Sequence, residues 1–299
     1  VNILKLFDTH EFSSYLMPNL INFILIKKII EKEKPENIIS SNVFKKIIDV
    51  NNKNNDIETK YLINKEEQKL LWDKIAIKYQ IGKFSISFSL SKKLYLKFKK
   101  ITELTLGFFY NFWSFNDLSK KSILFLEFNP AIHSTLLNKL KNYDGNIILV
   151  NKRRSAVWNK KSIDVVRNSN SKIINFDRIL DKSEKQEIPI LVKNYSKKLD
   201  IFWSNSEFFY NLFQIENHSF WDIIKEDLKR DYAKKLYDFI LSILSVKKLF
   251  ANNDIRCIVS LNDVGETEKA FLEFNHEKIP SILLEHGFIE RVKETKQFD

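Results

Sequence analysis

Apolar residues recur along this chain in two alternating rhythms, one at helical spacing and one in short unbroken runs. Asn19 to Lys34 carries Leu20, Phe23, Ile24, Ile26, Ile29 and Ile30 at helical spacing and is closed by Pro35, so it predicts a helix. Asn37-Ile38-Ile39-Ser40 then reads as a short buried strand, and Asn51 to Asp56 as a turn cluster. Glu66 to Gln80 is read as a helix with Leu70, Leu71, Ile75 and Ile77 on or near one face. Ser85 to Phe115, rich in Phe and Lys, is read as one or two helices.

From Lys121 the rhythm sharpens. Ser122 to Phe128 (SILFLEF) is an apolar strand of the kind buried on both faces, followed by a helix over Ala131 to Leu140. Asn146 to Val150 (NIILV) and Lys172 to Phe176 (KIINF) are the next two strands. Ile188 to Phe250 is mostly helical, most clearly from Ser219 to Leu249. Ile255 to Leu261, a helix over Glu266 to Asn275, and Pro280 to Leu284 complete the alternation. Strand, helix and strand joined by short loops require parallel pairing with crossover connections. The expected fold is α/β: a Rossmann-like, mainly parallel sheet with helices on both faces and long helical insertions. The expected organisation is a single α/β domain over 1–299, with a helix-rich lead over 1–115 and the main part over 116–299.

Composition narrows the chemistry. The five glycines, Gly82, Gly107, Gly145, Gly265 and Gly287, cannot assemble a G-x-G-x-x-G, a Walker loop or a G-x-S-x-G elbow. One cysteine excludes a disulfide framework and a thiolate metal cage, and no Asp-x-Asp motif points to a metal. The net charge of +11 comes from lysines spread along the chain, without a nucleic-acid-binding signature, so nucleic acid is not an expected partner. The apolar run Leu20 to Ile30 contains Lys27 and Lys28 and is too short for a membrane span. No signal peptide opens the chain, which places the expected protein in the cytoplasm. The Phe- and Lys-rich stretch 85–115 has two readings: a packed helix with solvated lysines, or a face that meets the inner membrane surface peripherally.

Ligands of open parallel sheets bind beyond the carboxyl ends of the strands, and this rule selects residues once the strands are placed. It selects Asn129 and His133 after the first strand of the main part, and Lys152, Arg153 and Arg154 after the second. It selects Asn262 and Asp263 after Ile255 to Leu261, and Glu285, His286 and Gly287 after Pro280 to Leu284. His286 beside Glu285 supplies acid/base capacity near neutral pH, and Gly287 permits close backbone approach. The competing role for His286 is a structural strand-end histidine. The 152–154 cluster suits phosphate, or is a solvated basic loop. Asp263 joins Glu266 and Glu268 in a carboxylate cluster, or caps the following helix with both glutamates in its first turn. Trp158 is either a stacking platform or a tryptophan at the edge of the core.

The stretch LNDVGETEKAFLEFNHEKIPSILLEHGFIE, Leu261 to Glu290, resembles the strand–helix–strand of GT-B-type glycosyltransferases of capsule and surface-carbohydrate synthesis. That group carries an ND, an acidic helix, IP, an apolar strand and QHG; Glu285 stands here where Gln is usual. Leu126 to Trp158, with EFNPAIHSTLLNKLKN and NIILVNKRRSAVW, is similar to the first βαβ unit of the same group. Together the two segments cover about a quarter of the chain.

The resemblance implies the N-terminal half of a two-domain transferase that moves a glycosyl or related polyol-phosphate group. The donor would be a nucleotide-activated sugar, the acceptor a glycan or lipid-linked chain, and no cofactor or metal would be required. In that reading His286, Glu285 and Asp263 are catalytic, and Asn129, His133, Arg153, Arg154, Asn262 and Gly287 bind substrate. The group also includes sugar-nucleotide 2-epimerase-like enzymes, which share the two-domain architecture. From a different class, a non-catalytic α/β module that binds a polyanionic glycan or a membrane surface also fits the sequence.

Overall fold

The structure, a computed structural model, describes residues 9–52, 57–62, 74–81, 84–110, 121–153, 155–174, 179–275 and 279–284. The chain divides into two compact units, each assembled from separated stretches. One comprises Val1–Leu6, Phe98–Asp181 and Ser242–Asp299; the other comprises Phe7–Lys97 and Lys182–Leu241.

The first unit holds a five-stranded parallel sheet. Its strands are β5 (Ser122–Leu126), β6 (Asn146–Val150), β7 (Lys172–Ile174), β10 (Ile255–Ser260) and β11 (Ser281–Leu283). Their spatial order is β11-β10-β5-β6-β7, and every neighbouring pair is parallel. Numbered in chain order and read from the β7 edge, this is 3-2-1-4-5, the order of the first five strands of a doubly wound sheet, with its topological switch between β5 and β10. β5 and β6 are apolar without alternation because both of their faces are covered. Leu124, Leu126, Ile148 and Val150 are buried, and so are Phe125, Ile147 and Leu149 on the alternate positions.

Helices α4 (Ser134–Lys139) and α5 (Lys160–Asn168) add Leu137, Val165 and Val166 to the core around Phe125, Leu149 and Val259. Helix α9 (Glu266–Glu273) buries Ala270 and Phe271. Fully burying a Leu, Ile or Phe contributes roughly 1.5–3 kcal/mol. That makes this sheet a stiff platform for whatever its loops carry.

The second unit is largely helical. Helix α1 (Thr9–Glu33), α2 (Lys45–Asn51), α6 (Lys182–Trp203), α7 (Ser206–Leu212) and the first two-thirds of α8 (Trp221–Asn252) belong to it. Its core gathers Phe23, Ile47, Phe209, Phe220, Trp221 and Ile224, with the Phe209 and Trp221 rings stacked 4.5 Å apart. A short parallel pair, β1 (Asn37–Ser41) with β2 (Glu58–Leu62), and a two-residue ladder of β8 (Gln214–Ile215) with β9 (His218–Ser219) accompany it.

The fold agrees with the expected strands of the main part and corrects the reading of three earlier segments. Asn37 to Ser40 is a strand, as expected, but not a buried one, with Ile39 68% exposed. Within Glu66 to Gln80, expected to be helical, Lys74–Ile81 is strand β3, and 66–73 lie outside the described residues. Ser85 to Phe115 is not helical from its start, because Phe84–Ser91 is strand β4, antiparallel to β3. Period decides both. Ile75 and Ile77, like Phe84, Ile86, Phe88 and Leu90, are two apart, which suits a pleated strand and not a helical face. Helix α3 (Lys92–Tyr110) follows, with the Ser91 hydroxyl accepting from Leu94 N at 3.3 Å. Among the described residues, no helix is long and apolar enough to cross a membrane.

Candidate functional site

Parallel strands end on one edge, so the segments after β5, β6 and β10 meet beside the switch point. Glu127 leaves β5 with φ of 57°, a left-handed conformation that costs a non-glycine residue on the order of 1–2 kcal/mol. Its own N–H donates to Val150 O at 2.9 Å. Its Oε1 accepts from Lys152 N at 2.8 Å, Arg153 N at 2.9 Å and the Thr267 hydroxyl at 2.7 Å. One carboxylate thus ties the loop after β6 to the first turn of α9. Three charge-assisted bonds, each worth roughly 1.5–3 kcal/mol, outweigh the backbone strain.

Arg153 reaches the same helix. Its Nη2 donates to Glu268 Oε1 at 3.0 Å, with the Glu268 side chain wholly buried and the arginine side chain 38% exposed. Burial pushes the Glu268 carboxyl up to about 7; Arg153 opposes the shift and the Glu127 charge adds to it. The second oxygen, Oε2, has no hydrogen-bond partner among the described residues. Gly265, the N-cap of α9, explains how so large an ion pair fits. A Cβ there would strike Glu268 Oε2 and lie 3.1 Å from Arg153 Cζ.

A second buried pair lies behind the loop. Lys99 of α3 donates to Asn151 O at 2.9 Å and to Glu103 Oε2 at 3.2 Å. Burial raises the Glu103 carboxyl pKa, with Lys99 opposing. Asn151, itself buried, donates through Nδ2 to Phe128 O at 2.9 Å, and Lys152 Nζ donates to the Ser242 hydroxyl at 2.7 Å. The 151–153 loop is therefore fixed from several sides by buried polar contacts.

The residues expected from sequence fall as follows. Arg153 is at the centre of the network. Asn262 accepts from Val264 N at 3.2 Å and Gly265 N at 3.1 Å through Oδ1, a turn that opens α9. The N-cap of α9 is therefore Gly265, which caps with no side chain, and not Asp263; Asn262 shapes the turn before it. Asp263 is exposed on the same edge and makes no hydrogen bond or ion pair among the described residues. Of its two expected companions, Glu268 turns inward to Arg153. Asn129 forms its own turn, Oδ1 accepting from Ala131 N at 3.0 Å, and the His133 ring lies 4.8 Å from that of Phe128. Arg154, Glu285, His286 and Gly287 lie outside the described residues.

The sequence reading passed over Glu127, Lys99 and Glu103. Glu127 had a signal: it is the one charged residue inside SILFLEF, where a buried strand leaves no room for an unpaired carboxylate. Lys99 and Glu103 had only i, i+4 spacing, which surface helices share. Among the described residues, no group of three or more His, Cys, Asp or Glu side chains could hold a metal ion.

Chemically, the edge offers a rigid guanidinium, turns with backbone donors, an exposed carboxylate and a buried carboxyl that titrates near neutrality. Comparison with protein-family models, curated proteins and solved structures finds no match to the chain.

Proposed function

We propose that the protein is a GT-B-type transferase of surface-polysaccharide synthesis. It would move a glycosyl or related polyol-phosphate group from a nucleotide-activated donor to a glycan or lipid-linked acceptor. The observation that carries this reading is Arg153, held at the switch-point crevice by Glu268 and by the Glu127 bonds to its backbone. A half-exposed guanidinium of fixed orientation is suited to the oxygens of a diphosphate and to the charge that develops as it departs. In the step itself, the acceptor hydroxyl gives its proton to a base and its oxygen bonds to the transferred group. The bond from that group to the nucleotide breaks, and the electron pair leaves with the phosphate. Asp263, exposed on the same edge, suits the base, and the family resemblance adds His286 and Glu285. Asn129, His133, Arg154, Asn262 and Gly287 would complete the substrate contacts.

Calorimetric titration of the full chain with UDP, GDP and CMP tests this. Binding of at least one nucleotide, weakened about tenfold or more in Arg153→Ala (about 1.4 kcal/mol), is the expected result. Nucleotide binding that ignores Arg153, or no nucleotide binding at all, would overturn the reading.

One observation supports a peripheral membrane contact as well. Phe98 and Phe108 of α3 are both exposed, Phe108 by 84%. Flotation with phosphatidylcholine vesicles, with and without a quarter phosphatidylglycerol, measures it; binding only to the anionic vesicles is expected.

A further inference from the structure

Helices α3 and α5 border a groove of about 670 Å³ that takes no part in the Arg153–Glu268 network. Its volume lies within the roughly 300–1,000 Å³ of small-molecule sites. On α5 the lining residues Lys160, Ile163, Asp164 and Arg167 follow i, i+3, i+4, i+7 spacing, so they form one face. Across from them α3 contributes Thr102 and Thr105 between the apolar Ile101 and Leu106, and Trp158 stands at the head of the groove.

The lining has a distinct chemistry. The Trp158 residue is 40% exposed, although its backbone is fixed: its N–H donates to the Ser162 hydroxyl at 3.0 Å, within the capping box that Asn159 and Ser162 make at the start of α5. An exposed indole on a fixed backbone is a preorganised flat surface. Asp164, Lys160 and Thr102 make no hydrogen bond or ion pair with other described residues, so their polar groups are available to a ligand. Ile163 packs on the sheet core and supplies an apolar floor.

A sugar ring has this pattern in reverse: a face of polarised C–H groups, which the π-cloud of an indole attracts, and a rim of hydroxyls that both donate and accept. Asp164 accepts from hydroxyls, while Lys160, Arg167 and the Thr102 hydroxyl can donate to them. We infer that the α3–α5 groove is a carbohydrate-binding site, with Trp158 as its stacking platform and Asp164 as its hydroxyl acceptor. This inference deepens the transferase reading by assigning a glycan acceptor to particular residues. The link between them is the 151–159 loop, which carries Arg153 near one end and Trp158 near the other.

The test is calorimetric titration of the full chain with maltotetraose, cellotetraose, chitotetraose and tetragalacturonate, alongside UDP. At least one oligosaccharide is expected to bind. Its affinity should fall about tenfold in Trp158→Ala and about threefold in Asp164→Asn, while UDP affinity stays unchanged. Melting temperatures of both variants report whether they fold, and the near-isosteric Asp164→Asn keeps the test decisive if Trp158→Ala does not. No saccharide binding, or saccharide binding that ignores both substitutions, overturns the groove assignment and leaves the transferase reading to its nucleotide test. UDP binding that depends on Trp158 would make the groove a nucleotide site and also overturn it. Saccharide binding through Trp158 without nucleotide binding would sustain the groove and defeat the transferase.

Discussion

At the scale of single residues, two glutamates carry most of the candidate site's physics. Glu268 titrates near 7 in the folded chain, against about 4.3 for a free glutamate. The folded state therefore holds this proton more tightly than the unfolded one. Stability from the group is full below about pH 4, falls as pH rises toward 7, and is then lower by roughly 3 kcal/mol. Glu268→Gln removes this slope. Urea titrations between pH 4 and 8 should show the wild type losing stability relative to the variant across that window. A constant difference would mean that Glu268 is ionised throughout. Glu127 is tested by two substitutions. Glu127→Ala loses three hydrogen bonds and keeps a methyl group in the left-handed region, and is expected to cost about 3 kcal/mol or more. Glu127→Gly loses the same bonds without the steric cost and should be more stable than the alanine variant by about 1 kcal/mol, read from the same denaturant curves.

At the scale of elements, α9 is placed by its first turn. Gly265 has φ of −74° and ψ of 153°, which any residue adopts, so the backbone does not demand glycine. Space does. A Cβ there strikes the end of the buried Glu268 side chain, whose other oxygen Arg153 holds. Gly265→Ala should therefore destabilise by about 1–3 kcal/mol, as overpacking does, and weaken nucleotide binding together with Arg153→Ala. An unchanged melting temperature would show that Glu268 can shift at no cost. The strands show which elements sequence alone can place. SILFLEF, NIILV and IRCIVSL are mostly apolar because their strands are largely covered on both faces, with Arg256 the exposed exception, and that pattern is legible without coordinates. KIAIKYQI was harder, since Leu70 and Leu71 just before it fit a helical face together with Ile75; the pairing of each residue with β4 resolves it.

At the scale of the whole molecule, the charge of +11 attracts any polyanion at low salt, which could imitate a specific site. The two are separable. Retention on heparin should vanish by 1 M NaCl, where the screening length is about 3 Å, because it draws on lysines spread over the surface. The ratio of nucleotide affinities between wild type and Arg153→Ala should persist, since a buried partner fixes the guanidinium in place. Collapse of that ratio with salt would reduce Arg153 to one diffuse charge among many. The grouping of 7–97 with 182–241 shows the same limit of local reading: a unit built from two distant stretches leaves no composition boundary in the chain.

The sequence by itself determined the parallel α/β sheet and the edge at which its polar loops gather. Period, strand length and short connections are local properties, and parallel pairing forces all carboxyl ends to one side. It also placed Arg153, Asn262 and Asp263 on that edge. Only the tertiary structure decided which of the edge residues act together. Glu127 and Arg153 are 26 positions apart, and Arg153 and Glu268 are 115 apart. The raised pKa of Glu268 comes from its burial, with the distant Glu127 charge adding to it and Arg153 opposing it. Burial and long-range charge depend on which surfaces the fold brings together, and no spacing within one segment encodes them.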